Sequence, residues 1–133
     1  MKAVFLDTSG FYAVLDQGDS FHREATEAFM QAEREGWRLT TTSYVVHETW
    51  ALVQNRLGWK AMDEFLGVML ALCEVVFVDR ALHDLGAARC RQARQRSLSL
   101  TDCVSLEFMQ RHGMEVAIAR DAHFSRQGIR MPH

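Results

Sequence analysis

A chain of 133 residues, 48% hydrophobic and 24% charged, has the make-up of an ordinary globular protein and length enough for a core of its own. Its formal net charge of −2 excludes nucleic-acid binding by bulk electrostatics and leaves such contacts to local basic patches. All the basic residues but Lys2 and Lys60 are Arg, whose planar fork suits phosphate. In chain order, residues 4–6 form a short buried strand, and Ser9 is placed to cap a helix over 11–16. A helix over 22–35 ends at Gly36, a strand follows over 38–41, and a helix over 43–57 is closed by Gly58. A further helix spans 60–72, a dense apolar strand 75–78, and an Arg-bearing helix 81–95. The last elements are a helix over 101–112 closed by Gly113, a strand over 116–119 and a turn of helix over 122–126.

Buried strands alternating with helices predict one α/β domain over residues 1–133: an α/β/α sandwich around a parallel sheet of four or five strands. The three cysteines, Cys73, Cys90 and Cys103, are odd in number and too far apart for a C-x-x-C pair, so free thiols in a reducing compartment are expected. The apolar run at the N-terminus is broken by Asp7 well short of a signal peptide, and no stretch reaches membrane-spanning length. The expectation is a cytoplasmic protein with no membrane association.

Four acids carry the chemistry. Asp7 follows the apolar run 3–6 and Asp121 closely follows the run 116–119, so a parallel sheet sets both at the carboxyl edge where α/β sites form. With Ser9 as the helix cap, the Asp7 side chain is left free. Glu48 lies opposite a stripe of Val46, Trp50, Val53 and Leu57, yet its own neighbours Tyr44, Val45, Ala51 and Leu52 are mostly apolar. That pattern predicts a carboxylate inside a contact, paired with an Arg or held by a metal. Asp102 completes a capping box, Ser99-Leu100-Thr101-Asp102, and leads a helix face that turns inward. Asp121 is placed equally well to cap the short helix after it. Carboxylates gathered this way repel one another unless a cation intervenes, and oxygen donors suit a hard divalent ion. The other acids, Asp16, Asp19, Glu24, Glu27, Glu33, Glu35, Asp63 and Glu64 among them, read as solvated surface.

Other chemistries lack their residues. His47-Glu48 opens like H-E-x-x-H, but Ala51 stands where the second His belongs. There is no G-x-S-x-G and no glycine-rich phosphate loop. The run Arg89, Arg91, Arg94 and Arg96, together with Arg120, His123, Arg126 and Arg130, offers phosphate contacts or an ordinary solvated surface.

Four segments, Leu6-Asp7-Thr8-Ser9, Val46-His47-Glu48-Thr49, Ser99-Leu100-Thr101-Asp102 and Arg120-Asp121-Ala122-His123-Phe124, together resemble the PIN domain family, in particular its VapC-like toxin ribonucleases. The resemblance runs from residue 6 to residue 124. It implies Asp7, Glu48, Asp102 and Asp121 as metal-site and catalytic acids with Ser9 beside them. It also implies Mg²⁺ or Mn²⁺, RNA as substrate, a homodimer, and a small antitoxin protein that occludes the site. Ser9, Arg96, Arg120 and His123 are then the expected substrate contacts. One departure is Ala119, where the family often carries Thr or Ser two residues before the last Asp. The competing expectations are a PIN-like module that binds RNA or protein without cutting, and a receiver-type signalling domain. The receiver lacks its lysine, since no Lys follows Lys60.

Overall fold

Val4, Phe5 and Leu6 are wholly removed from solvent, as a strand covered on both faces and flanked on both edges must be. In the structure, a computed structural model that describes residues 2–132, this strand β1 (Ala3–Leu6) lies between β2 (Arg38–Thr42) and β4 (Ala117–Ile118), with β3 (Cys73–Val76) outside β2. Every pairing is parallel; Phe5 faces Thr40 on one side and Ala117 on the other. Helices α1 (Thr8–Leu15) and α2 (His22–Arg34) join β1 to β2. Helices α3 (Ser43–Arg56) and α4 (Trp59–Glu64) join β2 to β3; α5 (Arg80–Ala93) and α6 (Leu100–Arg111) lead to β4, and α7 (Ala122–Ser125) follows it. Right-handed crossovers put α1 to α4 on one face and α5 and α6 on the other, giving the expected α/β/α sandwich. Phe11 of α1 packs edge-on to Phe65 with ring centroids 5.2 Å apart, and Phe5 meets Phe108 of α6 at 5.9 Å.

Beyond the start of α1, three boundaries differ most from expectation, each for a local reason. The helix expected over 60–72 is α only to Glu64; Phe65–Met69 widens to a π turn and Leu70–Leu72 tightens to a 3-10 turn. The Cys73 thiol meets the Met69 carbonyl at 3.3 Å, taking up one carbonyl near that irregular end. The third strand begins at Cys73, and Phe77 and Val78 leave the sheet, because the Val78 N–H donates to Ser43 Oγ and Asp79 caps α5. The last strand spans only Ala117–Ile118; the Val116 carbonyl still accepts the Phe5 N–H at 3.0 Å, and on its outer side Val116 pairs with Arg130 as the chain end comes alongside. Gly36, Gly58 and Gly113 all have positive φ where helix ends were expected. Among the described residues no helix is long and apolar enough to cross a membrane, and Cys73, Cys90 and Cys103 are free thiols.

The chain builds outward from β1 to β2 to β3, then crosses back to lay β4 on the other side of β1. The order of addition reverses between β1 and β4. In open parallel sheets the crevice at the carboxyl ends of such strands is where ligands bind, and Asp7 and Asp121 stand at that point.

Candidate active site

Thr8 begins α1, so Asp7 is its N-cap, and its Oδ2 accepts the Ser9 N–H at 3.2 Å and the Ser9 Oγ–H at 2.7 Å. This corrects the expectation that Ser9 caps the helix and Asp7 stays free: the helix starts three residues earlier, which makes Ser9 the donor. Ser9 Oγ also accepts the Arg120 N–H at 3.0 Å. One hydroxyl thus ties the β1 end to the loop after β4. Gly10 allows that approach, since a Cβ there would lie 2.2 Å from the Ile118 carbonyl oxygen.

The other acids repeat the pattern. Asp102 closes the expected capping box, with Oδ2 accepting the Ser99 N–H at 3.1 Å while its own N–H donates to Ser99 Oγ at 3.0 Å. Asp121 caps α7, with Oδ1 accepting the His123 N–H at 2.8 Å. Three of the four carboxylates therefore commit one oxygen to a helix start and leave the second without a hydrogen bond among the described residues. Glu48 makes no hydrogen bond to any described residue and is half-buried, not sealed in. The buried stripe of α3 is Val45, Thr49 and Val53. Of the stripe read from the sequence, Val53 is buried and Val46 and Leu57 pack against the core, whereas Trp50 is exposed; Val46 and Trp50 also line an open apolar cavity with Val75 and Phe77.

Asp7, Glu48, Asp102 and Asp121 line one cavity of about 410 Å³. Its wall also includes Thr8, Ser9, Tyr12, Asp19, Leu52, Arg56, Ser99 and Arg120. Burial pushes the Asp7 carboxyl up to about 7; the Ser9 hydrogen bonds oppose the shift, and the neighbouring Asp102 and Glu48 charges reinforce it. Asp102 is raised as well, first by burial, with its bonds to Ser99 opposing and Asp121 and Glu48 reinforcing. Asp7 Oδ1 is buried with no hydrogen-bond partner among the described residues. Such an oxygen calls for a proton or a cation, and an all-oxygen set suits a hard divalent ion. As they stand, no three His, Cys, Asp or Glu side chains among the described residues form a ready-made metal cage. Mg²⁺ keeps several of its waters, so these acids would have to reach one ion partly through bridging waters.

Of the expected substrate contacts, Ser9 and Arg120 line the cavity, while Arg96 and His123 do not. Arg96 is exposed on the loop before α6. The His123 ring lies 3.4 Å from Ser97 Oγ and 3.9 Å from Asp121 Oδ1. Arg89 is drawn to Glu107 and Gln110 instead. Asp19, read from sequence as solvated surface, is a wall residue and lies 3.6 Å from the Arg120 guanidinium. Tyr12 and Arg56 were missed as well. The helical spacing Glu48, Leu52, Arg56 was the available signal for the latter.

The profile of the PIN domain family matches residues 4–129. The 23S rRNA-specific endonuclease VapC20 of Mycobacterium tuberculosis, in strains CDC 1551 / Oshkosh and H37Rv, is 28% identical over 129 residues, 95% of either chain. The crystal structure of M. tuberculosis VapC20, described as a sarcin-ricin loop cleaving toxin, matches with a TM-score of 0.83 at 26% identity over 95% of each chain. The profile match spans nearly the whole chain, and on that ground the protein belongs to the PIN domain family.

Proposed function

We propose that this protein is an endoribonuclease that needs Mg²⁺ or Mn²⁺ and acts as the toxin of a toxin–antitoxin pair, with residues 1–133 working as one domain. The observation that carries the reading is the buried Asp7 Oδ1, without a hydrogen-bond partner among the described residues, in a cavity shared with Glu48, Asp102 and Asp121. Asp7, Glu48 and Asp102 would hold the ion, with Asp121 reaching it directly or through a water. The chemistry supplied by a bound ion is polarisation of a phosphoryl oxygen and acidification of a water.

The chain's own residues do the rest. Ser9 fixes the Asp7 carboxylate and the Arg120 backbone in one orientation. One of the cavity carboxylates would accept the proton of the attacking water. Arg120 takes a phosphate oxygen in place of Asp19, which already presents a carboxylate to it at 3.6 Å. Arg96 and His123 contribute at the rim. A small antitoxin protein would silence the enzyme by filling the cavity, and the three free thiols suit a reducing cytoplasm. We also propose a homodimer, supported by the apolar face of Val46, Trp50, Val75 and Phe77.

The name of the relatives makes the sarcin-ricin hairpin of 23S rRNA the first substrate to try. The protein is expected to cut it at an internal bond, to stop in EDTA and to resume with excess Mn²⁺. Asp102→Asn should lower kcat by at least about 100-fold with the fold intact by circular dichroism. Cleavage that ignores EDTA, or an Asp102→Asn variant of full activity, would refute the metal-dependent reading.

A further inference from the structure

The acidic floor explains how the protein handles one phosphodiester, but one side of the cavity has a different character. Glu48, Leu52 and Arg56 follow at four-residue spacing along α3, so they share one helix face. All three line the cavity. The face therefore runs from a carboxylate through an apolar side chain to a cation, with Leu52 about 6 Å and Arg56 about 12 Å along the axis from Glu48. Across from it stands Tyr12 of α1, half-buried and also in the wall, with the Arg56 guanidinium carbon 5.8 Å from its ring centroid.

No salt bridge ties Arg56 to a carboxylate among the described residues, unlike Arg120. A cation at a helix C-terminus is favoured by the helix dipole, and that alone accounts for an Arg in the last turn. It does not account for a tyrosine ring, a leucine and a guanidinium forming one wall of an otherwise acidic cavity. An aromatic face beside an Arg plane is what unpaired bases stack upon, and the same Arg serves the adjoining phosphate.

We infer that Tyr12, Leu52 and Arg56 form a nucleobase subsite that stacks one nucleotide next to the scissile phosphate. The inference rests on the nuclease reading above and deepens it. Tyr12 supplies the stacking face once the Arg56 guanidinium, which lies over that ring, swings onto the adjoining phosphate, and Leu52 supplies the sugar contact.

The test uses the hairpin cut by the wild-type protein, together with versions carrying one abasic nucleotide on either side of the cleaved bond. On the intact hairpin, Tyr12→Leu is expected to raise KM, and to raise Kd measured by fluorescence anisotropy in the Asp102→Asn background, by about 5- to 150-fold. Tyr12→Phe, which keeps the ring, should stay within about twofold of wild type, and Arg56→Lys should bind several-fold more weakly. On the abasic hairpin that removes the stacked base, wild type and Tyr12→Leu should converge. A purely structural role for Tyr12 would cost the same factor on both hairpins, and that result overturns the subsite while leaving the nuclease reading intact. If the wild-type protein neither binds nor cuts RNA, the nuclease reading itself fails.

Discussion

Asp7 does two jobs with two oxygens. Oδ2 is held by the start of α1, while Oδ1 is buried with no hydrogen-bond partner among the described residues. The sequence showed that an acid stands at this strand end, but it suggested Ser9 as the cap. A Ser two residues from an Asp fits either assignment, and only the helix start at Thr8 decides it. The cost of the arrangement has a pH signature. Burial holds the folded carboxyl near 7, against about 3.9 in an unfolded chain. Below about pH 4 both states are protonated and the group costs nothing. Between about 4 and 7 the folded protein keeps a proton that the unfolded chain has released, so stability falls as pH rises, by at most about 1.4 kcal/mol per unit. Above about 7 the penalty is constant. Asp7→Asn keeps an acceptor for Ser9 and cannot ionise. In metal-free buffer it is expected to melt above the parent at pH 8, with the gap closing toward pH 4, while RNA cleavage is lost. Thermal melts in EDTA across that range check it; a variant less stable than the parent at pH 8 would show that Asp7 carries no such penalty.

The elements were largely legible because hydrophobic period and capping residues are local properties. Ser99 and Asp102 formed the capping box that their spacing announced. The apolar run 75–78 was misplaced because Phe77 and Val78 have the composition of a strand, and what stops them is tertiary: Ser43 of α3 takes the Val78 N–H. The approach of α1 to β4 was equally invisible, since nothing in Ser9-Gly10 names Ile118 as a neighbour. Gly10 makes that approach possible. An added methyl would sit 2.2 Å from the Ile118 carbonyl oxygen, a backbone atom that cannot swing aside. Gly10→Ala is therefore expected to push α1 off the sheet edge, weakening the Ser9 bond to the Arg120 backbone. Overpacking of this kind costs roughly 1–3 kcal/mol. Cleavage should fall with all four acids still in place. A Gly10→Ala protein with parental melting temperature and activity would mean that the sheet edge accommodates the methyl freely.

At the scale of the whole molecule, the gathering of four acids follows from strand order. Only a chain that returns past its first strand sets residue 121 beside residue 7, and alternation of helices and strands leaves that order undetermined. The same topology leaves β3 at the sheet edge, next to α3, with an apolar face between them. Phe77 is 80% exposed and Trp50 38%, and both line the cavity with Val46 and Val75. Phe65 and Met69, whose sequence fits core or interface equally, are in the core at 0% and 2% exposure, which removes them from the interface; Leu72, at 43%, is still available to it. An edge strand flanked by exposed aromatic side chains invites association unless something covers it, and a net charge of only −2 opposes self-association weakly. We propose that a second copy covers this face. Phe77→Asp would place a charge where the two copies meet and disturb nothing inside either one, because the native ring is already in solvent. Sedimentation velocity should then show the parent as a dimer and the variant as a monomer of unchanged melting temperature measured at high dilution. A parent that sediments as a monomer at tens of micromolar would instead assign this face to a different partner.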